Sequence, residues 1–157
     1  MSAFDPPSPS ERPSVTLGGI GMRAVAQVLD GIIIGVPLYV LTLAMGISLT
    51  DENLTDSELL WITVLWVGVS LVYNTLGVAL WGTTLGKRIA GLKVVNRVDG
   101  GPVSFNYAAV RALVPTVVQL VPAIGPGLAI VVYLRAVFHP MRQGLHDAAA
   151  GTLVVKR

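Results

Sequence analysis

Three long apolar stretches, at residues 24–47, 59–81 and 112–134, alternate with polar segments along the chain. The second and third carry no charge, and the first carries only Asp30. A bilayer core about 30 Å thick is crossed by roughly 20 apolar residues in a helix, so each stretch is long enough to span. The pattern predicts an all-α membrane protein with two transmembrane helices, near residues 23–47 and 59–81, and a third apolar segment near 110–137. That third segment is interrupted by Pro122, Gly125, Pro126 and Gly127. Proline removes a backbone donor and disfavours helix in the residue before it. The segment is therefore either a re-entrant pair of half-helices or one kinked span.

The connection between the second and third stretches has its own pattern. Leu85, Ile89 and Leu92 recur at helical spacing among Lys87, Arg88 and Lys93, which predicts a short amphipathic helix in the interface. Residues 92–104 read as a strand, an Asp99-Gly100-Gly101 turn and a second strand, hence a small β-hairpin. No internal repeat is evident, which argues against an inverted-repeat transporter within one chain. Residues 1–17, with Pro6, Pro7, Pro9 and Pro13, are predicted to be a disordered polar tail ahead of a membrane domain at 18–157.

Composition agrees with this reading. Of 157 residues, 53% are apolar and 13% charged, against roughly 25% charged in a soluble domain, which excludes a soluble globule. The distribution of charge sets the orientation. Asp51, Glu52, Asp56 and Glu58 crowd the first loop, while Lys87, Arg88, Lys93 and Arg97 lie in the second connection. Lys and Arg mark cytoplasmic loops, so the expected protein is multi-pass in the plasma or inner membrane, with a cytoplasmic N-terminus and the acidic loop outside. Trp61 and Trp81 fall near the two ends of the second span, where interfacial aromatics are expected.

Asp30 is the residue that most needs explaining, since an aspartate at a helix centre costs about 2.5–3.5 kcal/mol on insertion scales. Ionisable groups inside a membrane mark functional sites by default. Arg23, Gln27, Gly31 and Gly35 share its helix face at four-residue spacing, and the Gly31-x-x-x-Gly35 pair would permit close helix packing. Arg23 lies about 10.5 Å along the axis from Asp30, too far for an easy contact, so Asn74, Arg111 and His146 are further candidate partners. Asp30 then either pairs with an arginine to fix helix register or binds a proton or cation.

The remaining chemistry is thinner. Lys87, Arg88 and Lys93 either meet anionic lipid headgroups, at about 1 kcal/mol each near the surface, or form a solvated loop that sets topology; they suit nucleic acid less well. Residues 82–88 miss the P-loop spacing and place Arg88 where a Ser or Thr belongs. With no cysteine and only His139 and His146, no metal-ligand set, no cofactor and no enzyme activity are expected.

The order of motifs resembles the RDD family of small membrane proteins, named for one arginine and two aspartates. Arg23 opens the first span in Met22-Arg23-Ala24, and Asp30 stands in Leu29-Asp30-Gly31. Residues 82–95, from Gly82-Thr83-Thr84-Leu85-Gly86-Lys87-Arg88 onward, match the most recognisable motif, and Asp99 to Ser104 and Arg111 follow. Residues 142–147, ending in His146-Asp147, supply the second aspartate, so the resemblance covers about residues 18–156. It implies that Arg23, Asp30 and Asp147 lead the site, with Arg111, Lys87 and Arg88 behind them, and it is the sole reason to promote Asp147. It also implies a possible transport or ion-exchange role. The expectation is a protein that moves cations or protons, as an oligomer. The alternative is an accessory or scaffold protein that holds a membrane partner or anionic lipid.

Overall fold

The computed structural model describes residues 16–50, 54–119 and 134–157. Helix α1 is Ile20–Ala44 and helix α2 is Asp56–Trp81. A short helix α3, Leu85–Ile89, leads into strand β1, Leu92–Asn96. Helix α4 is Phe105–Gln119, residues 134–138 are helical, and a second short helix α5, Leu145–Ala149, leads into strand β2, Thr152–Lys156. The protein is mostly helical, with a two-stranded sheet, and α1 and α2 are each long and apolar enough to cross a membrane. Only 17% and 6% of their most apolar windows are buried. The core helix of a soluble domain would be covered on most sides, so this apolar surface calls for lipid. The Pro/Gly cluster at 122–127, on which the form of the third segment turns, lies outside the described residues.

Local signals set the ends of α2. Thr55 and Glu58 form a capping box, with Thr55 N donating to the Glu58 carboxylate at 2.8 Å and Glu58 N to Thr55 Oγ1 at 3.3 Å. Gly82, at φ +66°, stops the helix in the left-handed conformation.

The expected local hairpin does not form. The turn at residues 96–101 does close, through Gly100 N to Asn96 O and Asn96 N to Gly101 O. The chain then leaves for α4, because Pro102 offers no donor and Ser104 O accepts the first helical bond from Ala108 N. β1 pairs instead with β2, antiparallel, from Leu92 opposite Lys156 to Asn96 opposite Thr152. This pairing sets buried Val94 against buried Val154 in the core. Leu17 bridges to Val155, and Thr16 O accepts from Lys156 N. The last two residues of the expected tail thus belong to this platform.

The platform carries a repeat that hydropathy does not reveal. Residues 82–97 and 142–157 adopt one conformation at an offset of sixty positions. Gly82 and Arg142 are both left-handed, at φ +66° and +49°, as are Gly91 and Gly151. Thr83 Oγ1 donates to Leu92 O and Gln143 Nε2 to Thr152 O, each at 2.9 Å. Arg97 N bonds Gly151 O as Arg157 N bonds Gly91 O. Val94 lies opposite its own equivalent, Val154, so a local two-fold passes between them. The entries to α1 and α4 match as well. Arg23 N bonds Gly19 O as Ala108 N bonds Ser104 O, and Thr16 and Gly101 take the equivalent strand-end bonds. Over the described residues the chain thus forms two related halves joined at the sheet, which overturns the expectation of no repeat. The shared residues, Leu85/Leu145, Ala90-Gly91/Ala150-Gly151, Val94-Val95/Val154-Val155 and Arg97/Arg157, are too few to stand out.

Candidate functional site

Two charged nodes sit where the long helices meet the platform. At the first, α1 brings Asp30 onto the N-terminus of α3. Asp30 Oδ1 accepts from Tyr73 Oη at 2.6 Å and from Gly86 N at 2.7 Å. Its Oδ2 accepts from Thr84 Oγ1 at 2.5 Å and from Lys87 Nζ at 3.1 Å. Lys87 Nζ also donates to Thr84 Oγ1 at 3.0 Å, and Leu85 N donates to Tyr73 Oη at 2.9 Å. A five-residue helix thus has its first turn capped by a carboxylate from another helix, where free N–H groups favour negative charge. Gly86 permits the approach. A Cβ there would lie 2.6 Å from Asp30 N and 2.8 Å from Asp30 Cγ, and would collide with Ala26 O.

At the second node the acid stands on the platform. Asp147, on α5, accepts from Arg111 Nε at 2.9 Å and lies 2.8 Å from Arg111 Nη2, both at Oδ1. Its Oδ2 accepts from Arg23 Nη1 at 3.3 Å and from Gly144 N at 3.2 Å. Arg23 reaches further, donating to Val154 O at 3.0 Å and to Arg142 O. His146 Nε2 is 3.4 Å from Asp147 Oδ1. Burial raises the Asp147 carboxyl, but Arg111 and Arg23 hold it below the usual carboxylate range. Burial pushes the His146 imidazole down to about 4; Arg111, Lys87 and Arg23 push the same way, while Asp147 pulls it up. The Lys87 ammonium is lowered by burial and by Arg111, with Asp30 opposing.

Between these nodes and the helices lies a cavity of about 620 Å³. Arg23, Asp30, Lys87, Arg111, His146 and Asp147 line it together with Gln27, Ser70 and Asn74, and its remaining wall is largely apolar. Among the described residues, Arg23 Nε and Trp66 Nε1 are buried without a hydrogen-bond partner, and both side chains line this cavity. No three His, Cys, Asp or Glu side chains gather for a metal among the described residues.

Several sequence readings change place. Arg23 and Asp30 share a helix face but serve different nodes, Arg23 joining Asp147 and Arg111, and Asp30 joining Lys87. Lys87 is 7% exposed and ion-paired, so it does not face lipid headgroups as Arg88 and Lys93, both exposed, are free to do. Gly31 and Gly35 do not mark a close helix contact. Among the described residues nothing comes within 4 Å of a Cβ built on Gly31, and one on Gly35 meets only Trp66, at 3.8 Å. Both line the cavity instead. Asn74 bonds Ser70 O within α2 and reaches neither acid, and Gln27 is an exposed lining residue. Tyr73, Thr84 and Gly86 were missed, because a Tyr, a Thr and a Gly in such stretches carry no signal of a partner elsewhere in the chain.

Comparison with known proteins adds identity without chemistry. The uncharacterized protein YxaI of Bacillus subtilis (strain 168) is 29% identical over 153 residues, covering 87% of this chain and 95% of the relative. No solved structure matches the chain. The family model described as RDD family matches residues 17–151, from the Leu17 bridge before α1 through α5. That span takes in Arg23, Asp30 and Asp147 in their two nodes, and the chain belongs to the RDD family of membrane proteins.

Proposed function

We propose that this protein is a multi-pass membrane carrier in which a small charged solute occupies the cavity between the two halves, coupled to proton or cation movement. The observation that carries this is the cavity itself, walled by both halves and bearing every charged group of the two nodes. Solute sites at the interface of structural repeats are a recurring transporter design.

The platform supports a topology. Thr16, β1, β2 and Arg157 are joined by backbone hydrogen bonds, so α1 and α4 leave the same face, and α2 and the residues before α5 return to it. That arrangement favours the re-entrant form of the third segment and parallel halves about an axis along the membrane normal. The basic connection favours a cytoplasmic platform, with both chain ends there. Coupling draws on the nodes. Both carboxylates are already occupied by protein donors, so a metal cation would have to displace Lys87 or a guanidinium, whereas a proton weakens either pair directly. The same saturation favours a second reading, an accessory protein whose nodes are purely structural.

Reconstitution separates the two. Proteoliposomes are expected to show gradient-driven flux that Gly31→Leu abolishes, since leucine there fills the cavity with nothing among the described residues within 4 Å of its Cβ. Absence of flux for protons, sodium, potassium and organic anions from well-folded protein would favour the accessory reading.

A further inference from the structure

We propose that the cavity binds an anionic single-chain amphiphile, its headgroup at the charged floor and its tail along the wall between α1, α2 and the helical residues 134–138. This deepens the carrier reading by naming the class of its solute. Charge is the first argument. Arg23, Lys87 and Arg111 line the floor with Asp30 and Asp147, an excess of one positive charge when His146 is neutral. Residues 112–134 contain no charged side chain, so the rest of the third segment cannot reverse that balance.

Unsatisfied polarity is the second argument. Arg23 Nε and Trp66 Nε1 lack partners among the described residues, and both are donors. Such buried groups are costly when unpaired, and an anionic oxygen is the complement of a guanidinium N–H. A metal cation would leave both donors unsatisfied.

Shape is the third. From Arg23 to Gly35 the α1 wall runs about 18 Å at 1.5 Å per residue, room for a headgroup beside Arg23 and Asp30 and, over roughly the last 7.5 Å, for the first part of an alkyl chain. Ile34, Gly35, Val67, Leu134 and Val137 line the stretch beyond the polar residues. The absence of side chains at Gly31 and Gly35 leaves room beside the helix. A volume of about 620 Å³ lies within the range of ligand pockets, about 300–1,000 Å³, and suits one chain better than a two-chain phospholipid. The bilayer supplies such molecules at high local concentration.

The protein has three tryptophans, so W61F/W81F leaves Trp66 as the only reporter, on the cavity wall. In nanodiscs of zwitterionic phospholipid, a stearate carrying a nitroxide on its chain should quench Trp66 saturably. Its half-saturation should lie at least tenfold below that of its methyl ester. Gly31→Leu, which narrows the cavity, and Gln27→Glu, which cancels the excess charge, should each weaken binding at least tenfold. Equal quenching by acid and ester, quenching that rises linearly with probe, or no change in both variants overturns the proposal. Saturable binding without flux would sink the carrier reading alone, and proton or cation flux without saturable quenching would sink this inference alone.

Discussion

The Asp30 and Asp147 nodes occupy equivalent corners of the two halves, yet they are built with opposite polarity. Lys87 and Asp147 stand at the same place, the third residue of α3 and of α5. In the first half the platform offers the cation and the long helix the acid; in the second the platform offers the acid, and α1 and α4 the cations. The first node is one ammonium with hydroxyl and backbone donors, the second two guanidiniums on one carboxylate. One scaffold thus accepts either sign, provided the charge on the helix finds its complement on the platform. The second node holds the surplus cation, and it cannot discard that charge. Lysine sheds its proton when buried, whereas arginine remains charged.

That difference ranks the nodes by what breaks them. Asp147→Asn strands Arg23 and Arg111 and should destabilise by about 3–5 kcal/mol. Asp30→Asn leaves Lys87 able to neutralise, and should cost about 2 kcal/mol. Thermal unfolding in detergent gives both, and an equal loss would remove the distinction. Next comes close packing, present at Gly86 and absent at Gly31. Gly86→Ala pushes a Cβ into the α1 backbone and should cost about 3 kcal/mol. Gly31→Ala meets nothing among the described residues and should be neutral or raise stability by up to about 1 kcal/mol.

Between pH 7 and 4 the largest pH effect should come from the second node. His146 has a folded value of about 4, below roughly 6.5 when unfolded. Its contribution is therefore fully present above pH 6.5 and is lost as pH falls toward 4, by about 3 kcal/mol at 1.36 kcal/mol per unit. Unfolding followed from pH 7 to 4 should show this slope, and His146→Gln should flatten it. The smallest effect concerns the equivalent turns. Arg142 holds the left-handed conformation that Gly82 holds in the first half, at about 1–2 kcal/mol for a non-glycine residue. Glycine's greater chain entropy takes back part of this. Arg142→Gly should thus raise stability by up to about 1 kcal/mol, and a loss would mean that the arginine side chain contributes more than its backbone costs.

Much of the architecture was legible because lipid imposes a coarse rule. Long uncharged stretches announce helices, and Asp30 stands out because little else in its stretch is polar. The nodes were harder, since each joins residues far apart in sequence. Lys87 looked like a surface cation because Asp30 lies 57 positions away. Asp147 looked ordinary until the family motif promoted it, its arginines being 36 and 124 positions distant. The hairpin was misplaced because the Asp99-Gly100-Gly101 turn is real, while the strand that pairs with β1 lies at the far end of the chain. The sixty-residue repeat had a faint signal in the Ala-Gly and Val-Val pairs, masked by the charge reversal between Lys87 and Asp147.

Both halves close onto one platform through β1 and β2. The chain contains no cysteine, so paired cysteines report this without background. Lys93 and Val155 face each other across the sheet, at a Cα spacing that antiparallel partners share with disulfides, about 4.5–5.5 Å. On mild oxidation in native membranes, K93C/V155C should form an intramolecular disulfide, while K93C/S104C, placed to report a local hairpin, should not. A bond in the second pair, with none in the first although both its thiols still react with a soluble reagent, would contradict the two-half platform.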